Sequence, residues 1–139
     1  MLSINTFKRG FKNGFDTMLE LTKVIVPVYL VVTALQHTAV FNAVAGLFSP
    51  VMKIFGLPGE AAIVLALGNL LNLYAAIGAM ASLTLTTKQA LIIALMLSFA
   101  HSLIVETAVT KKVGVSVFSM LVLRLGLAFV VAIILNLVL

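Results

Sequence analysis

Residues 88–112 read KQALIIALMLSFAHSLIVETAVTKK, and how this stretch is read decides the fold. It opens with an apolar run long enough to enter a bilayer. It then places His101, Ser102 and Glu106 inside that apolar context before Lys111 and Lys112 end it. A carboxylate at membrane depth costs roughly 2.5–3.5 kcal/mol on insertion scales unless it is paired, protonated or facing water. Leu or Val at position 106 would carry no such cost. The segment is therefore expected to line a polar site or pathway.

Composition supports a membrane setting. The 139 residues are 63% hydrophobic and 9% charged, with a mean hydropathy of +1.26. A soluble domain has about 25% charged residues. A span takes about 20 apolar residues to cross about 30 Å of hydrocarbon, so the length admits about four spans, or five if some are short. The net charge of +5 comes from nine basic residues scattered along the chain. No basic face is left for nucleic acid, and the cations read as interface anchors and topology signals. There is no cysteine, which excludes disulfides and thiolate sites. No secretory signal peptide is evident.

Outward from residues 88–112, the chain divides into an arm and a bundle. Ile4, Phe7, Phe11, Phe15 and Met18 recur at helical spacing, with Lys8, Arg9 and Lys12 mostly on the other side. This predicts a basic amphipathic helix over residues 1–22, lying at the bilayer interface or packed beneath the bundle. Residues 23–139 form the transmembrane domain. Residues 23–42 predict a first span with Pro27 near its start. Gln36 and His37 lie toward its far end, either as lining groups or at the exit into headgroups. Residues 43–55 predict a short surface or re-entrant helix interrupted at Ser49-Pro50. Gly56-Leu57-Pro58-Gly59 is a turn, and Glu60 suits the start of the next helix.

Residues 61–85 admit two readings. One is a single span in which small residues pack closely and Asn69 and Asn72 act as interhelical glue. The other is two short halves that meet near Asn69 to Asn72, in a re-entrant hairpin or broken helix of the kind that builds transporter sites. The hairpin also puts the arm and Lys111-Lys112 on one side, in line with the positive-inside tendency and a cytoplasmic N-terminus. Thr86 to Gln89 reads as a capping box, and Ser116 can cap the last span, in which Arg124 lies deep.

Ser102 and Glu106, four apart, share a helical face. His101 is five from Glu106, about 140° away around a regular helix. Either the helix is irregular here or the two serve different partners. Arg124 is the fixed cation inside a span, so a Glu106–Arg124 pair would remove two unpaired charges at once. That pair is read as a register lock between two helices, or as part of a proton- or cation-sensitive switch beside a cavity. His37 and His101 also invite a bis-His haem reading, although satisfied membrane histidines are commoner. No cofactor, metal site or catalytic residue is expected. The chain has four carboxylates and none of the usual hydrolase, metalloprotease or phosphate-loop motifs, so an enzyme has little to build on.

GLPGEAA at 56–62, the small-residue segment at 68–76, AHSLIVETAVTKKVG at 100–114 and the following span with Arg124 resemble the gate, or nucleoside recognition, family of membrane proteins. The most specific part is the run carried by His101, Ser102, Leu103, Glu106 and Thr107. That group includes spore maturation membrane proteins, gate regions of ferrous-iron transporters and relatives of concentrative nucleoside transporters. Larger members resemble two such units, so the resemblance implies that this one-unit chain pairs with a second copy or a paralogue. The expectation is an all-α, multi-pass bundle of the plasma or inner membrane, gating a small polar solute or ion. Asn69, Asn72, His101, Ser102 and Glu106 would line the site, with Arg124 as charge partner. The alternative is a non-transporting scaffold whose polar residues hold helices together.

Overall fold

The computed structural model describes residues 4–139, so residues 1–3 of the expected arm lie outside it. Among the described residues the chain forms seven helices and no strand. Helix α1 (Ile4–Leu35) joins the amphipathic arm and the first span without a break. No element boundary falls at residue 22. Pro27 lies inside this helix rather than near its start. A proline deprives one turn of a hydrogen bond but leaves the rest of the ladder to carry the helix through. Helix α1 stops at Leu35, short of the expected residue 42. Thr38 takes over as N-cap of α2 (Ala39–Ile54), its hydroxyl accepting from Phe41 N at 3.3 Å.

Ser49-Pro50 does not interrupt α2, for the same reason as at Pro27. The helix ends where the sequence demands it. Gly56 adopts φ +69°, Leu57 N donates to Met52 O and Gly56 N to Lys53 O, a glycine-terminated Schellman closure. Gly59 then lets α2 and the next helix meet, since a Cβ there would stand on Ala45 O.

Residues 61–85 are not a single span. They form α3 (Ala61–Leu70) and α4 (Leu73–Ser82), which double back on each other. A Cβ on Gly68 would lie 3.0 Å from Ala76 Cβ, whereas eight residues along one straight helix span about 12 Å. Asn72 makes the reversal possible. It is extended and caps α4, its Oδ1 accepting from Ala75 N at 2.9 Å. The buried faces are Ala61, Val64, Leu65 and Gly68 on α3, and Ala75, Ala76, Gly78 and Ala79 on α4. Such small residues let apolar helices approach closely where lipid offers no hydrophobic drive. Helix α4 packs on α1 at Gly78, where a Cβ would meet Ile25 O at 2.7 Å. Gln36 fastens the end of this contact by donating to Ser82 O at 2.8 Å.

The stretch that opened the analysis is also broken. Helix α5 (Thr87–Phe99) starts from the Thr86–Gln89 capping box and is followed, after Ala100 to Ser102, by α6 (Leu103–Lys112). Helix α7 (Val117–Val138), capped by Ser116, runs antiparallel to α5. Lys88 Nζ donates to Asn136 O at one end and Arg124 Nε to Phe99 O at the other. Three segments are long and apolar enough to cross a membrane: α1, α5 with α6, and α7. The core is confined to helix seams, with Ile92, Ile93, Leu97 and Val64 fully enclosed, while Phe118, Leu123 and Leu137 face outward. Outward-facing aliphatic and aromatic side chains suit hydrocarbon surroundings.

The α1–α4 seam gives a clean test. Gly78→Ala should cost about 1–3 kcal/mol through overpacking against the Ile25 backbone. Gly126→Ala meets nothing within 4 Å and should be neutral or stabilise by up to about 1 kcal/mol. Reversible unfolding in mixed micelles checks both.

Candidate functional site

The two helix breaks meet. Ser102 N donates to Gly68 O at 2.9 Å, tying the α5–α6 break to the last turn of α3. Depth follows from helix length. The α5–α6 break lies about 18–20 Å from the Thr87 end and about 15 Å from the Lys112 end at 1.5 Å per residue. Each arm of the α3–α4 pair is also about 15 Å long. Half of a hydrocarbon core about 30 Å thick is about 15 Å, comparable with each of these lengths. The α5–α6 break contains neither glycine nor proline. Ala100 is extended, and Ser102 takes φ +49°, the left-handed region that a non-glycine residue rarely occupies. This backbone is held in place by partners: Ala100 N bonds Met96 O, and Ser102 N bonds Gly68 O.

Because the helix is broken, His101 and Glu106 are not on opposite faces. His101 Nε2 lies 3.8 Å from Glu106 Oε1. Its other nitrogen, Nδ1, is 2.9 Å from Leu97 O. Glu106 Oε2 pairs with Arg124 Nη1 from α7. Arg124 is further anchored by Nε, which donates to Phe99 O at 2.7 Å. The guanidinium therefore satisfies a carbonyl released by the end of α5 and a carboxylate on α6, bridging the break from outside. The side chains of His101, Glu106 and Arg124 are 32%, 29% and 23% exposed, so the cluster is half-buried and reachable.

Asn69 lies on the other side of the joint. Its Nδ2 donates to Leu65 O at 2.7 Å, while Oδ1 is buried and has no hydrogen-bond partner among the described residues. It is the polar member of an otherwise apolar cavity of about 410 Å³ between α2, α3, α5 and α7, bordered by Met52, Met96, Ala100, Leu125 and Phe129. Asn72 spends its carbonyl on capping α4, which makes it a builder of the hairpin tip.

Gln36 and His37 belong elsewhere. Gln36 is tied to Ser82, and Gln36 and His37 border a separate polar cavity with Asn42, Glu60 and Thr84. The length of α4, about 15 Å, separates that end from the joint. This spacing separates His37 from His101 along the length of α4. No group of three or more metal-ligating side chains occurs among the described residues. The contributors that sequence reasoning missed are backbone groups: the carbonyls of Gly68, Leu97 and Phe99 and the amide of Ser102. The one signal for them was the five-residue spacing of His101 and Glu106, which an unbroken helix could not reconcile.

The architecture defines a multi-pass helical membrane protein whose broken helices meet beside a charged cluster. A family model described as Gate, nucleoside recognition, matches residues 18–117, and the chain belongs to this family. It is 52% identical over 132 residues to the uncharacterized membrane protein YvoD of Bacillus subtilis, covering 95% of this chain and 42% of YvoD. It is 36% identical over 81 residues to the inner membrane protein YjiG of Escherichia coli K12, covering 58% of this chain and 52% of YjiG. The chain thus spans about half or less of the curated relatives it matches. No solved structure matches it. With such relatives and three long apolar helices, the protein is placed in the cell membrane.

Loss of either partner of the Glu106–Arg124 pair should strand a charge. Glu106→Gln and Arg124→Gln are each expected to destabilise by about 3 kcal/mol. The double variant should recover part of that loss, with a coupling on the order of 1–3 kcal/mol. A double-mutant cycle on thermal or denaturant unfolding measures it.

Proposed function

We propose that this chain is one half of a two-fold membrane gate, in which a small polar solute or ion passes at the junction of the two helix breaks. The observation that carries the reading is the Ser102 N to Gly68 O bond, which joins both irregular segments at mid-depth. Non-helical backbone at that depth is tolerated where protein covers it or where it lines an aqueous cavity, and paired helix breaks form substrate sites in transporters. Asn69, His101, Ser102 and Glu106 line the site, and Arg124 holds Glu106 in place. Asn72 shapes the tip. On this reading the α3–α4 pair is a re-entrant hairpin that enters and leaves on the side of Glu60 and Ser82.

Two facts support a second unit. Leu70 and Leu71, at the tip of the hairpin, are 56% and 53% exposed, and irregular backbone there calls for a covering protein surface. YvoD is more than twice as long as the part this chain matches, which leaves room for a second unit within one polypeptide. A homodimer or a paralogous partner would supply the same cover here. The hairpin also orders the charges. Lys8, Arg9, Lys12, Lys23, Lys111 and Lys112 fall on one side, and Lys53 and Lys88 on the other. The first side is cytoplasmic by the positive-inside tendency. A second reading, a scaffold without transport, draws on the engagement of Arg124 by Glu106 and Phe99 O, which ties three helices together.

Because the chain has no cysteine, single cysteines report cleanly. Val115→Cys should be shielded from an impermeant thiol reagent in intact cells and Thr84→Cys labelled. The reverse pattern would sink the topology. Leu71→Cys should form a covalent dimer on mild oxidation, whereas Leu137→Cys should not. In proteoliposomes, a panel of small polar solutes including nucleosides should contain at least one that enters faster than through protein-free vesicles. Glu106→Gln should slow that uptake tenfold or more. Equal fluxes for both proteins across the panel would leave the scaffold reading.

A further inference from the structure

The backbone fixes which nitrogen of His101 carries hydrogen. Nδ1 is 2.9 Å from Leu97 O, and a carbonyl can only accept, so Nδ1 is the protonated nitrogen. In the neutral ring Nε2 then presents a lone pair, and it faces Glu106 Oε1 at 3.8 Å. A carboxylate oxygen is likewise an acceptor. Two acceptors confront each other across a gap wider than a direct hydrogen bond. The contacts of Arg124 are made elsewhere: its Nη1 engages Oε2 and its Nε engages Phe99 O.

This confrontation exists only because of the break. On a continuous helix His101 would point about 140° away from Glu106. The extended Ala100 and left-handed Ser102 bring them together. A left-handed non-glycine residue carries strain that neighbouring interactions must balance, and the geometry supplies a place for one more such interaction.

We infer that the gap between His101 Nε2 and Glu106 Oε1 is a proton-binding site, and that a proton taken there clasps α5 to α6 across the break. A hydronium ion gives the proton to Nε2: the N–H bond forms, an O–H bond of hydronium breaks and water leaves, and the new N–H then donates to Oε1. The clasp goes beyond the pathway reading and holds or fails without it. In the unprotonated state Glu106 is balanced by Arg124 alone. In the protonated state the carboxylate is held from both sides, by imidazolium on one oxygen and guanidinium on the other. The surroundings offer little competition. Helix α7 contributes Arg124 to the cluster, α3 brings Asn69 and no ionisable group, and Lys88 of α5 is held at the far end by Asn136 O. Lys111 and Lys112 close α6 at its other end, and Tyr74 is the ionisable side chain of α4, which packs on α3 and α1. A clasp governed by proton supply would couple the shape of the mid-depth joint to pH on one side of the membrane.

The sequence makes the test tractable, since it has two histidines and His37→Asn leaves one. Histidine-selective 15N labelling of His37→Asn protein in lipid bilayers reports tautomer and charge of His101 directly by solid-state NMR. The neutral ring is expected as the Nδ1–H form, and acidification should protonate Nε2. Glu106→Gln should move the Nε2–H signal of the protonated ring away from its hydrogen-bonded position. A neutral ring carrying its hydrogen on Nε2 would overturn the proposal in the otherwise wild-type protein, even if neither charge variant folds. So would an Nε2–H signal unchanged in Glu106→Gln, or an Nε2 signal that responds to NaCl at fixed pH and not to acid.

Discussion

At the middle of a bilayer no water is present to receive a backbone amide or carbonyl that a helix has released. This constraint governs the structure. Both helix breaks release such groups, and the protein answers by bringing the breaks together. The amide of Ser102 finds the carbonyl of Gly68, and the carbonyl of Phe99 finds the guanidinium of Arg124. Each solution requires the other. Gly68 must lack a side chain, since a Cβ there would collide with Leu97 and Ala76. Arg124 must be present despite its desolvation, and Glu106 then offsets its charge.

The rest of the fold serves this joint. Small residues on α3 and α4 let the two short helices return side by side, and Gly78 seats them on α1. The long contact between α5 and α7 is pinned at both ends by Lys88 and Arg124. That contact sets the height of Arg124 against the break. The outer faces are left to aliphatic and aromatic side chains, as expected where hydrocarbon replaces solvent. The interior thus contains few large side chains and depends on backbone proximity more than on bulk.

The charged cluster sits at the same joint. Glu106 and Arg124 neutralise each other, while His101 Nε2, Glu106 Oε1 and Asn69 Oδ1 remain as acceptors around the joint. Such a set favours a proton, a cation or a donor-bearing solute over an anion. The chain belongs to the Gate family and is similar to membrane proteins of greater length.

Much of this was legible in the sequence because it depends on local chemistry. The apolar runs, the Gly56–Gly59 turn, the Thr86–Gln89 box and the Ser116 cap each follow from a few adjacent residues. The depth of Glu106 and Arg124 follows from counting along a span. Other features depend on what a segment packs against. Pro27 and Pro50 were read as a start and an interruption, yet both sit inside helices, because neighbouring turns carry the ladder past one missing donor. The choice between one span and two halves at Asn69 to Asn72 stayed open, since both share the same composition. Small residues facing each other, Gly68 against Ala76, decided it. The break at Ala100 to Ser102 has neither glycine nor proline to announce it. It exists because a carbonyl from α3 and a guanidinium from α7 receive what the broken helix gives up, and those partners are distant in sequence. Residue types alone thus established a membrane bundle with ionisable groups at depth, and tertiary packing alone determined that those groups meet.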